Sequence, residues 1–397
     1  MKYRLEELVD LQIGRTPPRK EFEWFNTNCE GYKWVSIKDM GNSGRFISDT
    51  SEYLTEAAQK RFGIPIVEKG TLLLSFKLTV GRLCITTDKM LTNEAIAQLP
   101  IKDTNIVDRD FLYYYLKNYN FHQLGSTSSI ATAINSTYLK KMEIDLPPID
   151  QQRAIAAVLS SIDDKIESNN AINNNLMHVA SSLFSKALED NADTLIATPL
   201  GEIADVKGGK RLPKGVNLQS VPNSHPYIRV RDLTNTAIVH INDDFEYVDD
   251  DTQRGISRYI VATNDVLLSI VGTIGLVSIV HPSLDNANLT ENCVKLTKLK
   301  GITPQYLFLY LRSSDGQHEI ARSTVGAVQA KLPIKNIQAI NVPVLPSTQG
   351  KNLCETLNPL FSNMESLVAE IYSLTRLKNT LLPKLLSGEI DVSEVEF

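Results

Sequence analysis

The strongest constraint on this chain is that it is written twice. Over 397 residues the same landmarks return in the same order at an offset of about 195. YRLEELVDLQIG (3–14) parallels TPLGEIADVKGG (198–209), and YKWVSIKD (32–39) parallels HPYIRVRD (225–232). TLLLS (71–75) with TVG (79–81) parallels DVLLS (265–269) with TIG (273–275). FLYYYLK (111–117) parallels YLFLYLR (306–312), and IDLP (144–147) parallels INVP (340–343). A repeat of this length implies two copies of one globular unit, and the chain is long enough for more than one core. Outside these landmarks the copies differ, so they share a scaffold and carry different surfaces.

Each copy has two parts. The first, about 145 residues, mixes short apolar runs with Gly, Pro and Asn turns. Runs 34–37, 72–76, 227–230 and 266–271 read as strands. Segments 111–118 and 306–313 read as short helices, the second started by Pro304. This predicts a mixed α/β or α+β globule.

The second part reads as one long helix. In the first copy its apolar seam runs Ile155, Leu159, Ile162, Ile166, Asn169, Asn173, Leu176, Ala180, Leu183, Ala187. In the second it runs Leu353, Leu357, Leu360, Met364, Leu367, Ile371, Leu374, Lys378, Leu381, Leu385. Alternating steps of four and three are a coiled-coil heptad. Two matched helices most simply pack on each other, with Pro359 and Pro383 expected to kink or interrupt the second. Asn169 and Asn173 either fix the register of the pair or line a local gap filled by water. From Ile155 to Ala187 such a helix rises roughly 48 Å. One turn of DNA is about 34–36 Å. A spacer of that size can hold two readers on one face of DNA, over two different short sequences with an unread gap.

The net charge of −5 argues at first against nucleic acid, but its distribution does not. Residues 1–145 and 198–345 are each net +1, whereas 146–197 is −4 and 346–397 is −3. The acidity therefore belongs to the two helical segments. Cys29, Cys84, Cys293 and Cys354 are scattered, which predicts reduced thiols in or near a core and no zinc site. No apolar run is long enough to span a membrane, and the N-terminus lacks the pattern of a signal peptide, so a cytoplasmic location is expected.

Several strings carry a family resemblance. LPPIDQQRAIAAVLSSIDDKIESNN (146–170) resembles the central helical region of Type I restriction–modification specificity subunits, and LKNTLLPKLLSGEI (377–390) their C-terminal one. KGGKRLPKG (207–215) and IGRTPPR (13–19) resemble the opening turn of that family's target-recognition domains. The second helical region departs from the pattern: PSTQGKN (346–352) replaces a copy of PPIDQQR, and only Gln349 of the glutamine motif persists. The resemblance covers nearly the whole chain. It implies a mixed α/β fold of two target-recognition domains, 1–147 and 191–345. A central helical region (148–190) and a C-terminal one (346–390) would form an antiparallel coiled coil, with a tail at 391–397. It further implies a non-catalytic subunit that binds double-stranded DNA at a bipartite target. Two methyltransferase subunits using S-adenosylmethionine would dock on it, and restriction (translocase) subunits using ATP and Mg²⁺ would complete the enzyme.

Arg and Lys suit phosphate and guanine, and Asn and Gln suit adenine. The candidate DNA-binding residues lie in the turn-rich segments. In the first copy they are Arg15, Thr16, Arg19, Lys20, Lys38, Lys77 and Thr79. In the second they are Lys207, Lys210, Arg211, Lys214, Arg229, Arg231 and Thr273. Gly/Ser/Thr-rich loops holding residues 126–129 and Gln329 are further candidates. No catalytic or metal-ligating motif stands out. DLPPI (145–149) is not the Asn/Asp-Pro-Pro-aromatic motif of an amino methyltransferase. GGK (208–210) is too short for a phosphate-binding loop, and His318-Glu319 has no second histidine for zinc. A duplicated RNA-binding or scaffold protein, or a nuclease with a diverged site, would be the competing readings.

Overall fold

The computed structural model describes residues 1–26, 28–121, 134–234, 236–326 and 329–392. The chain forms two compact units, Met1–Glu167 with Leu377–Phe397, and Ser168–Arg376. Each long helix is shared between them.

The first unit is built on a five-stranded sheet in the order Gln12–Ile13, Ile96–Leu99, Leu72–Ser75, Leu83–Thr86, Phe46–Ile47. Leu72–Ser75 is buried along its whole length, and so reads as an apolar run rather than an alternating one. Beside it stands a four-stranded sheet, Phe25–Asn26, Glu52–Leu54, Tyr32–Val35, Met90–Thr92. The helix Arg109–Asn118, capped by Asp108, inserts Phe111, Leu112 and Tyr114 into the larger core. Complete burial of such side chains contributes roughly 1.5–3 kcal/mol each.

The second unit repeats this plan. Its five-stranded sheet runs Asp205–Gly208, Cys293–Thr297, Val266–Ser269, Val277–Val280, Ile238–Val239. Its smaller sheet has Glu246–Tyr247, Pro226–Ile228 and Asn288–Leu289. The helix Pro304–Arg312, capped by Thr303, fills the place of Arg109–Asn118. In both units a two-stranded antiparallel ribbon closes the globule where it meets a long helix. These are Lys2–Arg4 with Glu143–Asp145, and Ile196–Pro199 with Asn341–Val344.

Two expected strands end early, for one reason. Ser36 and Arg229 leave the sheet because Asp39 and Asp232 take their backbone N–H groups, at 2.9 and 2.7 Å. The helix Ile37–Asn42 and the 3₁₀ turn Val230–Leu233 start there instead. Lys38 and Arg231 therefore ride on helical turns.

The long helices are Ile149–Glu189 and Ser347–Ser387. Within the first unit Ile155 and Leu159 share a core with Leu382 and Leu385. Within the second, Ala180 and Phe184 share a core with Leu357, Phe361 and Met364. In each unit later residues of one helix meet earlier residues of the other, so the pair is antiparallel. Neither Pro359 nor Pro383 interrupts the second helix. Both are exposed, as are Glu355 and Asn379 four residues earlier, so each carbonyl that loses its partner lies on the exposed side. The seam also shifts by one residue near the second core. Phe184 and Phe361 are buried where the heptad named Leu183 and Leu360, because their rings turn into the globule against Tyr306 and Phe308, at 4.9 and 5.7 Å. Asn169 is buried and its side-chain amide donates to Glu370 across the helix pair at 2.8 Å, while the Oδ1 atoms of Asn169 and Asn173 are buried without a hydrogen-bond partner among the described residues.

Gln152 anchors the start of the first long helix. It is buried, donates to the carbonyls of Ile106 and Pro147, and accepts from the Asp108 N–H. The second copy has Gly350 at this point, matched by the bonds Gln152 N–H to Pro148 O and Gly350 N–H to Pro346 O. Cys84 and Cys293 are buried, and burial pushes both thiols up to about 12. Cys29 is exposed, contrary to the expectation of a core thiol. No helix among the described residues is long and apolar enough to cross a membrane.

Candidate nucleic-acid interface

In each unit a parallel strand pair sets the site. Tyr32–Val35 runs parallel to Met90–Thr92, and Pro226–Ile228 to Asn288–Leu289. Parallel neighbours end on the same side, so the loops that follow them emerge together. The turn after Leu72–Ser75 joins them, because Phe76 N–H donates to Ala95 O at 3.0 Å. In the second unit Ile270 N–H donates to Asn292 O at 2.8 Å.

The opening turn of each copy is laid against the same edge. Gly14 N–H donates to Ile96 O and Arg15 N–H to Thr92 O, at 3.3 and 2.9 Å. Gly209 N–H donates to Cys293 O and Lys210 N–H to Leu289 O, at 3.0 and 2.8 Å. A Cβ on Gly14 would lie 2.1 Å from Thr92 O, and one on Gly209 would lie 1.9 Å from Thr290 O. No larger residue fits at either place, so the opening glycines serve close backbone approach.

These contacts bring together Arg15, Thr16, Lys38, Lys77 and Thr79 in the first unit. In the second they gather Lys210, Arg211, Arg229, Arg231 and Thr273. The side chains are held to different degrees. Arg15 donates to Phe62 O at 2.7 Å. Arg19 pairs with Glu52 at 2.7 Å and stacks over Phe25 and Trp34, at 4.7 and 4.6 Å. Lys77 lies over the Phe76 ring and Lys210 over Tyr259, at 5.2 and 5.4 Å. Lys207, on the strand Asp205–Gly208, pairs with Asp205 at 3.5 Å. Arg229 is the most enclosed: it contacts Asp232, Glu246 and the Asp244 carbonyl, and only 17% of its side chain is exposed. Arg231 shares these partners but stays open. Lys20, Lys38 and Lys214 are exposed and make no ion pair among the described residues. Residues 126–129 lie outside the described residues, while Gln329 lies beside Gly326 in the second unit.

Sequence reasoning missed a repeated carboxylate at the middle of each cluster. Glu94 accepts from the Thr16 hydroxyl, and Glu291 pairs with Arg211 at 3.1 Å. The bonds on either side of them match one for one, so the two occupy equivalent places. The spacing from Thr92 to Ile96 equals that from Leu289 to Cys293, but TNEAI (92–96) and LTENC (289–293) share no residue in register except the glutamate, so little signal lay in the sequence alone. Among the described residues no group of His, Cys, Asp and Glu could hold a metal ion.

A family model described as Type I restriction modification DNA specificity domain matches residues 1–178 and again 197–374. The chain is 23% identical over 422 residues to the Type I restriction enzyme MjaIX specificity subunit of Methanocaldococcus jannaschii, covering 99% of this chain and 94% of that one. It is 23% identical over 407 residues to the EcoBI specificity subunit of Escherichia coli, covering 92% and 81%. The solved S subunit of a Type I restriction–modification system from M. genitalium shares the fold, with a TM-score of 0.60 at 19% identity over 97% of this chain and 95% of that one.

Proposed function

Because the chain belongs to the Type I restriction–modification DNA specificity family, we propose that it selects the DNA sequence on which separate catalytic subunits act. Each unit reads one half-site through the loops at its strand ends, and the target is bipartite, gapped and asymmetric. The observation that carries this is the duplicated loop cluster. The same backbone bonds hold Gly14 and Gly209, the residues flanking Glu94 and Glu291, and the turns at 75–81 and 269–275, while the basic side chains around them differ. One frame with two sets of readers fits two different half-sites.

The chain itself is non-catalytic in this reading. Two methyltransferase subunits, supplied with S-adenosylmethionine, dock on it and methylate adenine in each half-site, after flipping the base into their own pockets. Restriction subunits using ATP and Mg²⁺ join the same assembly in the cytoplasm. Phosphate contacts from exposed lysines set the position, and side chains at base edges set the sequence.

The test is genome-wide mapping of adenine methylation in cells that express the methyltransferase partner, with and without this chain. Methylation at an asymmetric, gapped, two-part motif only when the chain is present is the expected result. Ungapped methylation, or no change on omitting the chain, would overturn the proposal and favour a duplicated scaffold.

A further inference from the structure

The turns at 75–81 and 269–275 are copies at the level of single bonds. Ser75 Oγ donates to Thr79 O and accepts from Arg82 N–H, while Gly81 N–H donates to Ser75 O, at 2.5, 2.9 and 2.9 Å. Ser269 Oγ donates to Thr273 O and accepts from Leu276 N–H, while Gly275 N–H donates to Ser269 O, at 2.6, 2.9 and 3.1 Å. The fourth residue of each turn is left-handed, with φ +65° at Leu78 and +79° at Gly272. Glycine adopts that conformation freely, whereas a side chain that branches beyond Cβ does so at a steric cost.

Leu78 is therefore costly in two ways. Its backbone is held where glycine serves better, and 69% of its surface is exposed, so burial does not compensate. The fold does not require the side chain, since Gly272 makes the same turn without it. A strained, exposed apolar residue that the scaffold can do without points to a contact outside the chain. Its neighbours say which contact. Lys77 and Thr79 flank it, and the Phe76–Ala95 bond sets the turn beside the opening turn.

We propose that Leu78 is an apolar DNA-reading residue of the first half-site, with no counterpart in the second. It presents hydrocarbon to DNA, either against a thymine methyl group or into an opened base step. The inference rests on the reading of this loop cluster as the DNA face.

The experiment uses the full chain assembled with its methyltransferase partner on duplex DNA carrying the mapped motif. Leu78→Gly should leave the unfolding midpoint unchanged or raise it, yet weaken binding about tenfold. Leu78→Asn, which tolerates the left-handed backbone but is polar, should weaken binding as well. Two DNA probes separate the sources. Uracil in place of thymine in the first half-site weakens wild-type binding, and not that of Leu78→Gly, if the methyl group is the contact. A rise in 2-aminopurine fluorescence with wild type alone marks an opened step. Unchanged affinity of Leu78→Gly, with loss of affinity in a Lys38→Ala/Lys77→Ala double variant, overturns the inference and leaves the DNA face standing. Unchanged affinity in all three variants removes the DNA face too. Failure of Leu78→Gly to assemble with the methyltransferase would make Leu78 a protein contact and overturn the proposal.

Discussion

The Lys378 ammonium lies 2.5 Å from the Asp163 carboxylate, at a place where the heptad repeat asks for apolar contact. Asp163 also accepts from the Tyr114 hydroxyl at 2.8 Å, so the pair ties the two long helices to the globular core of the first unit. Close by, Arg45 binds Asp110 and Asp164 at 3.2 and 3.1 Å. Breaking one side of an enclosed pair leaves the other charge unpaired, which costs more than the pair contributes. Lys378→Ala should destabilise the chain by about 2 kcal/mol, below the usual range for buried pairs, because 22% of the lysine side chain remains exposed. The double variant Asp163→Asn with Lys378→Met keeps an acceptor for Tyr114 and should recover most of the loss. Denaturant midpoints of Lys378→Ala and of the double variant check this, and a double variant less stable than Lys378→Ala would contradict it.

Salt dependence separates the positioning cations from the structural ones. Lys20→Ala and Lys38→Ala should each lower the slope of log K against log salt by about 1, with little effect on stability. Arg229→Ala should instead lower the unfolding midpoint first, because Asp232 and Glu246 lose the guanidinium between them. Binding titrations at four salt concentrations, alongside thermal melts, give both readouts. An unchanged slope for both lysine variants would remove them from the interface.

Glu94 and Glu291 sit at equivalent points of the two clusters. A carboxylate suits the amino group of cytosine, and an amide presents a different pattern at nearly the same size. Glu94→Gln should change one base of one half-site, and Glu291→Gln one base of the other, each leaving the opposite half-site intact. Sequencing the methylated motif of each variant decides the matter. An unaltered motif in both would make these residues braces for Thr16 and Arg211.

The second unit should lose stability in mild acid. The His281 ring packs at a tilt against His240, with centroids 4.2 Å apart, and His240 packs against Tyr372 of the C-terminal helix at 5.1 Å. Burial, followed by the charge of His240, lowers the His281 pKa to about 4. Its Nδ1 accepts from the Ser283 N–H at 2.9 Å, which a protonated Nδ1 cannot do. Between pH 6.5 and about 4 the unfolded chain binds a proton that the folded one refuses, so stability falls as pH falls through that window. Unfolding midpoints of wild type and His281→Asn from pH 7 to 4 test it. The variant should show a shallower decline, and equal slopes would rule the histidine out.

Much of this protein was legible because its patterns are local or repeated. The heptads around Leu159 and Met364 announce themselves within a few turns of helix, since one apolar residue every three or four must fall on one stripe. The offset of about 195 residues exposed both copies without any three-dimensional information. What stayed hidden was made by contacts between distant segments. Ser36 and Arg229 looked like strand residues until Asp39 and Asp232 were seen to take their N–H groups. Phe184 and Phe361 lie one step off the seam because each unit's core, and not the helix period, decides which side chain turns inward.

The sequence by itself determined the duplication, the paired helices and the mixed α/β class, for these follow from periodicity and composition. Only the tertiary structure decided which basic residues share one end of a sheet. That depends on the parallel pairing of Tyr32–Val35 with Met90–Thr92, segments more than fifty residues apart with no code for each other in their side chains. It also decided that Leu78 stands in a glycine's conformation, because a left-handed backbone is imposed by the hydrogen bonds of the turn around it and not by leucine's own preference.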